Sequence, residues 1–260
     1  MTTQPSRQPA PADPHADLAR VAESTERLLH TVAGLDPSAV AEPSALPGWT
    51  RGHLLAHLAR NADSLVNLVE SARTGTDIPQ YASEDAREEG IQQGAGRPLD
   101  EQLADLRASA ARLAEAAGTL PEAAWQVQLK HRHGYTFPAT DLPWKRLAEL
   151  EYHHVDLAVG YTAAHWPAEF AAAEFDKLAT RFATLDGLPA LQLVAEDTGA
   201  EALLGPADRS DAAELRIEGP IRALTAWLSG RSDGDGLQVH RDGGPLADPR
   251  TALPKLPPMG

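Results

Sequence analysis

"RGHLLAHLARNADSLVNLVESA" runs from Arg51 to Ala72. Within it Leu54, Leu55, Leu58, Ala62, Leu65, Val66 and Val69 recur at three- and four-residue intervals, which draws one apolar stripe down a 3.6-residue helix. Thr50 is a fair N-cap, because its hydroxyl can accept a hydrogen bond from an orphan N–H of the first turn. The segment predicts a long helix with one face to bury, and such a face needs partner helices.

Partners lie on both sides of it. Upstream, Leu18, Val21, Leu28, Leu29 and Val32 predict a helix from Ala16 to about Gly34, a plausible stop. Downstream, Leu99, Leu103, Leu106, Ala110 and Leu113 mark another, and "WKRLAELEYHHVDL", Trp144 to Leu157, marks a fourth that ends near Gly160. Four helices by residue 160 point to a bundle. Residues 75–98 carry four glycines and scattered charges and read as a long connection, beyond ordinary loop lengths and hence functional in character. A second irregular stretch, "HRHGYTFPATDLP", precedes the fourth helix.

From about residue 166 the pattern changes. Pro167 can start a helix to about Leu185, whereas "ALQLVAED", "AELRIEG" and "LQVHRDG" are short alternating strands, with the helix "PIRALTAWLSG" between the last two. The expected fold is therefore mainly α: a four-helix bundle over residues 15–165 followed by a small α+β domain over residues 166–260. "MTTQPSRQPAPADP", residues 1–14, is expected to be a disordered tail, and the Pro-rich "ALPKLPPMG" to lie outside the core. There is no internal repeat, P-loop or GxGxxG fingerprint.

Composition narrows the function. A formal charge of -14 over 260 residues argues against a nucleic-acid binder, which needs a basic surface to displace phosphate counterions. No apolar run is long enough for a membrane span and the N-terminus lacks a signal-peptide layout, so a cytoplasmic location is expected. The chain has no cysteine, which excludes disulfides, thiolate metal sites and a cysteine nucleophile. Thiol chemistry here needs a thiol from outside.

The fourth helix supplies candidate chemistry. At about 100° per residue, Leu147, Leu150, His154 and Leu157 share one side, while Glu149, His153 and Asp156 share another. Glu149 and His153 are vertical neighbours able to reach one ion, and His57, beside the apolar stripe of the second helix, completes a possible His2Glu set. Three such ligands leave a coordination position open, as catalytic zinc requires. The alternatives are an HxxxH pair of His53 with His57, or a solvated polar face with no metal. His154 reads as a hydrogen-bonded core histidine. Asn61, one turn after His57, is either a donor behind the ligands or an ordinary amide.

"LPGWTRGHLLAHLARNAD", "YASEDAR" and "RLAELEYHHVDL" together resemble the motifs of the mycothiol-dependent maleylpyruvate isomerases, within the DinB-like four-helix-bundle superfamily. "LTAWLSGR" resembles the end of that family's smaller C-terminal domain. The resemblance implies zinc held by His57, Glu149 and His153, mycothiol as the thiol, and a substrate-contacting arginine that matches Arg231, with Arg222 as competitor. It implies isomerisation of maleylpyruvate to fumarylpyruvate in gentisate breakdown, in which a zinc-bound thiolate adds to the conjugated double bond, the resulting single bond rotates, and the thiol is eliminated. Arg231 would hold a carboxylate and offset charge on the enolate. Tyr81, Arg87 and Asn61 are the candidate residues for the thiol, and the His131 to Phe137 cluster is a candidate edge of the site. The partners implied are a small electrophilic substrate and a low-molecular-weight thiol, with monomer and homodimer both open. Two other functions share these residues: a mycothiol S-transferase acting on another electrophile, and a binding protein without catalysis.

Overall fold

The computed structural model describes residues 13–205 and 213–257, which form two compact units divided between Gly160 and Tyr161. The first contains α1 (Pro14–Ala33), α2 (Arg51–Thr74), α3 (Glu84–Ala95), α4 (Leu99–Gly118), the short strands β1 (Gln128–Lys130) and β2 (Thr136–Pro138), and α5 (Leu142–Asp156). Helices α1, α2, α4 and α5 make the expected four-helix bundle. Each of α2 and α1 packs against both α4 and α5. Leu54, Leu55 and Leu58 of α2 are completely buried and meet Leu28 and Val32 of α1, Leu106 of α4 and Leu150 of α5. At about 1.5–3 kcal/mol for each large apolar side chain removed from water, this seam carries the unit.

Thr50 caps α2 as its sequence predicts, and His53 closes the capping box with a side chain that accepts from the Thr50 N–H at 3.2 Å. Residues 1–12 of the expected tail lie outside the described residues. Its last two residues are ordered: the Asp13 carboxylate accepts from the N–H groups of His15 and Ala16, and Pro14 opens α1, where its missing N–H costs nothing.

The expected connection over residues 75–98 contains a helix. Its glycines concealed it, because Gly94 serves close packing and does not break the chain: a Cβ there would stand 2.7 Å from the Cβ of Ala56 on α2. Likewise "HRHGYTFP" is the turn and second strand of an antiparallel hairpin in which Leu129 pairs with Phe137.

In the second unit, α6 (Ala168–Phe182) and α7 (Ile221–Leu228) cover a five-stranded sheet of order β4-β3-β5-β6-β7, built from β3 (Leu191–Ala195), β4 (Glu201–Leu204), β5 (Leu215–Gly219), β6 (Gln238–Arg241) and β7 (Gly244–Pro245). Strands β3 and β5 run parallel and the other neighbours antiparallel. Phe175, Phe182 and Trp227 fill the space against Leu193, Ile217 and Val239. Three of these strands and both helices match the sequence reading, and β4 and β7 were missed. The division falls after Gly160, at a left-handed turn (φ 96°), so residues 161–165 join the second unit ahead of the expected boundary at 165/166. Trp166 anchors that start, its carbonyl accepting from Nε of Arg222 at 2.7 Å. The Pro-rich end after the short helix α8 (Pro249–Ala252) is also not free of the core: Leu253 and Leu256 pack against it, and a Cβ on Gly234 would meet Leu253 at 2.2 Å. No helix among the described residues is long and apolar enough to cross a membrane.

Candidate metal centre

His57 projects from α2, and Glu149 and His153 project from successive turns of α5. Oε2 of Glu149 lies 2.9 Å from Nε2 of His57 and 3.3 Å from Nε2 of His153, and the two imidazoles meet edge to face at 4.8 Å between centroids. One ligand atom from each residue lies within 4.8 Å of the other two. Zinc bonds near 2.0–2.1 Å at tetrahedral angles would place neighbouring donors about 3.4 Å apart. The donor spacing is therefore already close to what such an ion requires, and two neutral nitrogens with one carboxylate suit a borderline divalent metal. The Glu149 side chain remains 33% exposed while that of His57 is 9% exposed, so the trio opens to one side. An open side is what distinguishes a catalytic position from a closed structural one.

The electrostatics follow from this packing. Burial lowers the His57 pKa against the opposing hydrogen bond with Glu149, which keeps that imidazole neutral. Burial alone would raise Glu149, but its hydrogen bonds to His153 and His57 outweigh burial and hold it well below the ordinary carboxylate range. Burial would lower His153, but Asp156 and Glu149 outweigh burial and raise it. Glu149 is thus held as an anion between the two imidazoles.

The two histidines are oriented differently. Nδ1 of His153 lies 2.9 Å from Oδ2 of Asp156, one turn on, an arrangement that fixes the ring and raises its basicity towards a metal. Nδ1 of His57 is buried without a partner among the described residues, and its ring packs against Trp49 at 5.5 Å, so shape and not a second hydrogen bond sets its angle. Asp156 was visible in the sequence as part of the polar face but had no role there. Trp49 stands in the quoted "LPGWT" and was also passed over. We expect Asp156→Ala to weaken zinc binding about 10- to 100-fold by chelator competition while α5 persists; unchanged affinity would show that Asp156 does not tune His153.

The alternatives separate on contacts. His53 is committed to the α2 cap and its Nε2 lies 3.2 Å from Gln92 Oε1, so it does not pair with His57 as a ligand. His154 is 1% exposed and its Nε2 donates to Thr31 Oγ1 at 2.9 Å, because the threonine hydroxyl is already donating to Arg27 O. It is the core histidine expected. Asn61 is buried, and its Oδ1 accepts from Arg146 Nη1 at 2.7 Å.

Tyr81 and Arg87 flank the trio. The Arg87 guanidinium lies 6.0 Å from the Tyr81 ring centroid, and its charge acts on both His57 and Tyr81. Burial raises the Tyr81 hydroxyl, with a hydrogen bond to Ser64 opposing. Among the described residues the one carboxylate in ion-pair contact with Arg87 is that of Glu88, at 4.0 Å, a weak exposed pairing. The hairpin turn is tied to the same segment: Gln80 Oε1 accepts from the Arg132 N–H at 2.8 Å and Arg132 pairs with Glu84 at 2.7 Å. In the aromatic cluster of that hairpin, His131 stacks on Tyr135 at 4.4 Å; burial and Lys145 lower its pKa to about 4. Arg222 and Arg231 both belong to the second unit. Arg231 Nη1 donates to Ser229 O at 2.7 Å, at the C-terminal end of α7.

Comparison with known proteins identifies the family. Residues 21–158, more than half of the chain, match the family described as the mycothiol maleylpyruvate isomerase N-terminal domain. A crystal structure of a mycothiol-dependent maleylpyruvate isomerase superposes with a TM-score of 0.83 at 27% identity, covering 95% of this chain and 97% of that one. A His-to-Ala mutant of a mycothiol-dependent maleylpyruvate isomerase gives 0.82 at 26% identity with the same coverage. Curated protein sequences give no match.

Proposed function

The chain belongs to the mycothiol maleylpyruvate isomerase family, and from that premise we propose that it is a zinc- and mycothiol-dependent cis-trans isomerase converting maleylpyruvate to fumarylpyruvate, in the cytoplasm. The observation that carries the proposal is the convergence of His57, Glu149 and His153 within 4.8 Å on the open side of a rigid bundle. The structural relatives named for this activity support it over most of the chain's length.

In this reading His57, Glu149 and His153 hold the zinc, which as a Lewis acid lowers the pKa of a thiol as it does that of water. Mycothiol would supply the nucleophilic sulfur, and reversible thiol addition to a conjugated cis double bond is the chemistry it would lend to isomerisation. The chain contains no cysteine, so nothing of its own competes for that role. Asp156 keeps His153 aimed at the metal. Arg87 and Tyr81 receive the anionic thiol or substrate at the opening, where a cation held beside a water-poor wall attracts carboxylates more strongly than it would in bulk solvent. Arg231 holds a substrate carboxylate and offsets enolate charge.

Zinc-loaded protein with mycothiol is expected to convert maleylpyruvate, seen as the change in ultraviolet absorbance between the isomers, and to do nothing without the thiol. Absence of conversion with zinc bound would overturn the isomerase. Thiol adducts of other electrophiles in the same assay would then identify an S-transferase on this scaffold.

A further inference from the structure

Arg146 is 2% exposed and stands on α5 one turn before Glu149. Its Nη1 donates to the Leu58 carbonyl at 2.9 Å and to Oδ1 of Asn61 at 2.7 Å. Among the described residues it has no carboxylate partner in ion-pair contact. Burial lowers its pKa to about 10, with Glu149 acting against that at longer range. Stability does not explain such a group, since a well-packed apolar side chain of similar volume usually serves a helix interface at least as well as a buried charge.

What the guanidinium grips does explain it. Leu58 is the residue after His57, and Asn61 follows His57 by one helical turn. Arg146 thus ties the turn of α5 before Glu149 to the turn of α2 after His57. The partners descend in opposite directions, His57 meeting Glu149 and Asn61 meeting Arg146, as two antiparallel helices require. Together they make two points of attachment about one turn apart, near 5.4 Å along the axis. One point of contact permits sliding and rotation, and two points fix the register. The register matters because a slip of one residue displaces a ligand by about 1.5 Å, whereas metal bonds tolerate about 0.2 Å. The Leu58 carbonyl can receive the guanidinium without leaving its helix, because a carbonyl oxygen has two lone pairs.

We propose that Arg146 and Asn61 are positioning residues that set the α2–α5 register at which His57, Glu149 and His153 converge on one divalent ion, an inference that rests on the trio holding a metal. An arginine suits the role because the two N–H bonds of Nη1 are held in the guanidinium plane, each directed at one acceptor, whereas the protons of a lysine ammonium turn freely about its C–N bond.

The test uses the full chain with zinc or cobalt(II) alone, so that no thiol or substrate enters the readout. Dissociation constants by chelator competition, the visible cobalt bands that report coordination geometry, and metal-free thermal unfolding are measured for Asn61→Ala, Asn61→Asp, Arg146→Lys and Arg146→Met. Asn61→Ala and Arg146→Lys are expected to weaken metal binding about 10- to 100-fold and to shift or flatten the cobalt bands. Asn61→Asp keeps the acceptor and is expected to stay within about threefold of the parent. Unchanged affinity and unchanged cobalt spectra in both Asn61→Ala and Arg146→Lys, with only the unfolding temperature moved, would overturn the inference. A parent protein that binds neither ion would instead remove the metal reading on which it rests. If Arg146→Met does not fold, Asn61→Ala decides, because it leaves the bond to Leu58 in place.

Discussion

Glu149→Ala is expected to give a folded protein that no longer retains zinc and has no thiol-dependent isomerase activity. The two halves of that result come from different terms. Glu149 contributes hydrogen bonds to His57 and His153, each worth about 1 kcal/mol net to the fold, whereas Leu54, Leu55 and Leu58 in the core of the bundle are completely buried and together contribute several kcal/mol. Removing the carboxylate therefore leaves the helices standing. For the metal the scale reverses: structural zinc sites bind with about 10–16 kcal/mol spread over four ligands, so one ligand is worth about 3–4 kcal/mol, on the order of a hundred- to a thousand-fold in affinity. His153→Ala is expected to behave alike. Metal analysis and far-ultraviolet circular dichroism on the same sample check both halves; full zinc content, or global unfolding, would contradict them.

The protonation of the trio adds a pH signature. His153 is raised above its ordinary value by Asp156 and Glu149, so the metal-free site holds a proton below that raised pKa and loses it above. The proton's stabilising contribution to the metal-free fold is complete below the unfolded value near 6.5 and fades as pH rises through the folded one. Zinc needs the neutral imidazole. Near pH 6, uptake should therefore release about one proton, and affinity should climb with pH until His153 is neutral and then level off. His57 is lowered and already neutral, so it adds no second proton. Calorimetry of zinc binding in two buffers of different ionisation enthalpy counts the protons; none released near pH 6 would contradict this arrangement.

How much of this was legible in the sequence depended on whether a signal was local. The bundle helices α1, α2, α4 and α5 repeat apolar residues at helical intervals, and that repeat is a property of each segment alone. The face shared by Glu149, His153 and Asp156 was legible for the same reason. That His57 completes the set was readable as a possibility from its place beside the stripe. The exclusion of His53 was not, because its contact with Gln92 depends on an α3 that the sequence had hidden, and its share in the Thr50 cap is a side-chain contact that the apolar period does not record. Arg146 and Trp49 were missed because their roles lie in what another element offers them: a carbonyl and an amide on α2 for one, a tilted imidazole ring for the other. No period in a single segment records such a contact. Helix α3 was hidden because Gly90 and Gly94 read as interruptions, and only the partner helix shows that the missing side chains are the reason the segment fits.

Gly52→Ala tests that point most severely, because two effects of opposite sign meet there. Gly52 lies in the first turn of α2, where alanine is the better helix former by about 1 kcal/mol, so propensity alone predicts a more stable protein. Packing predicts the reverse. A Cβ at this position would stand 2.2 Å from the carbonyl oxygen of Ala95 at the end of α3, 3.0 Å from Gln102 Nε2 and 3.1 Å from the Val40 carbonyl oxygen. Two of those neighbours are backbone and cannot rotate aside, while Gln102 is itself held by the Ala95 and Arg97 carbonyls at 3.1 and 3.0 Å. Overpacking a well-filled site costs about 1–3 kcal/mol, and backbone against backbone belongs at or above the upper end, so the clash exceeds the gain in propensity. A net loss of about 2 kcal/mol is expected, or roughly 4–8 °C in unfolding temperature. Gly118→Ala is the internal control: it too lies in a helix, its Cβ would meet nothing within 4 Å, and it should be neutral or slightly stabilising. Because relief of the clash must move α3, and α3 carries Arg87 beside His57, Gly52→Ala should also weaken binding of the anionic substrate more than binding of zinc. If both glycine substitutions stabilised the protein equally, the close approach of α2 and α3 would be wrong, and with it the place given to Arg87.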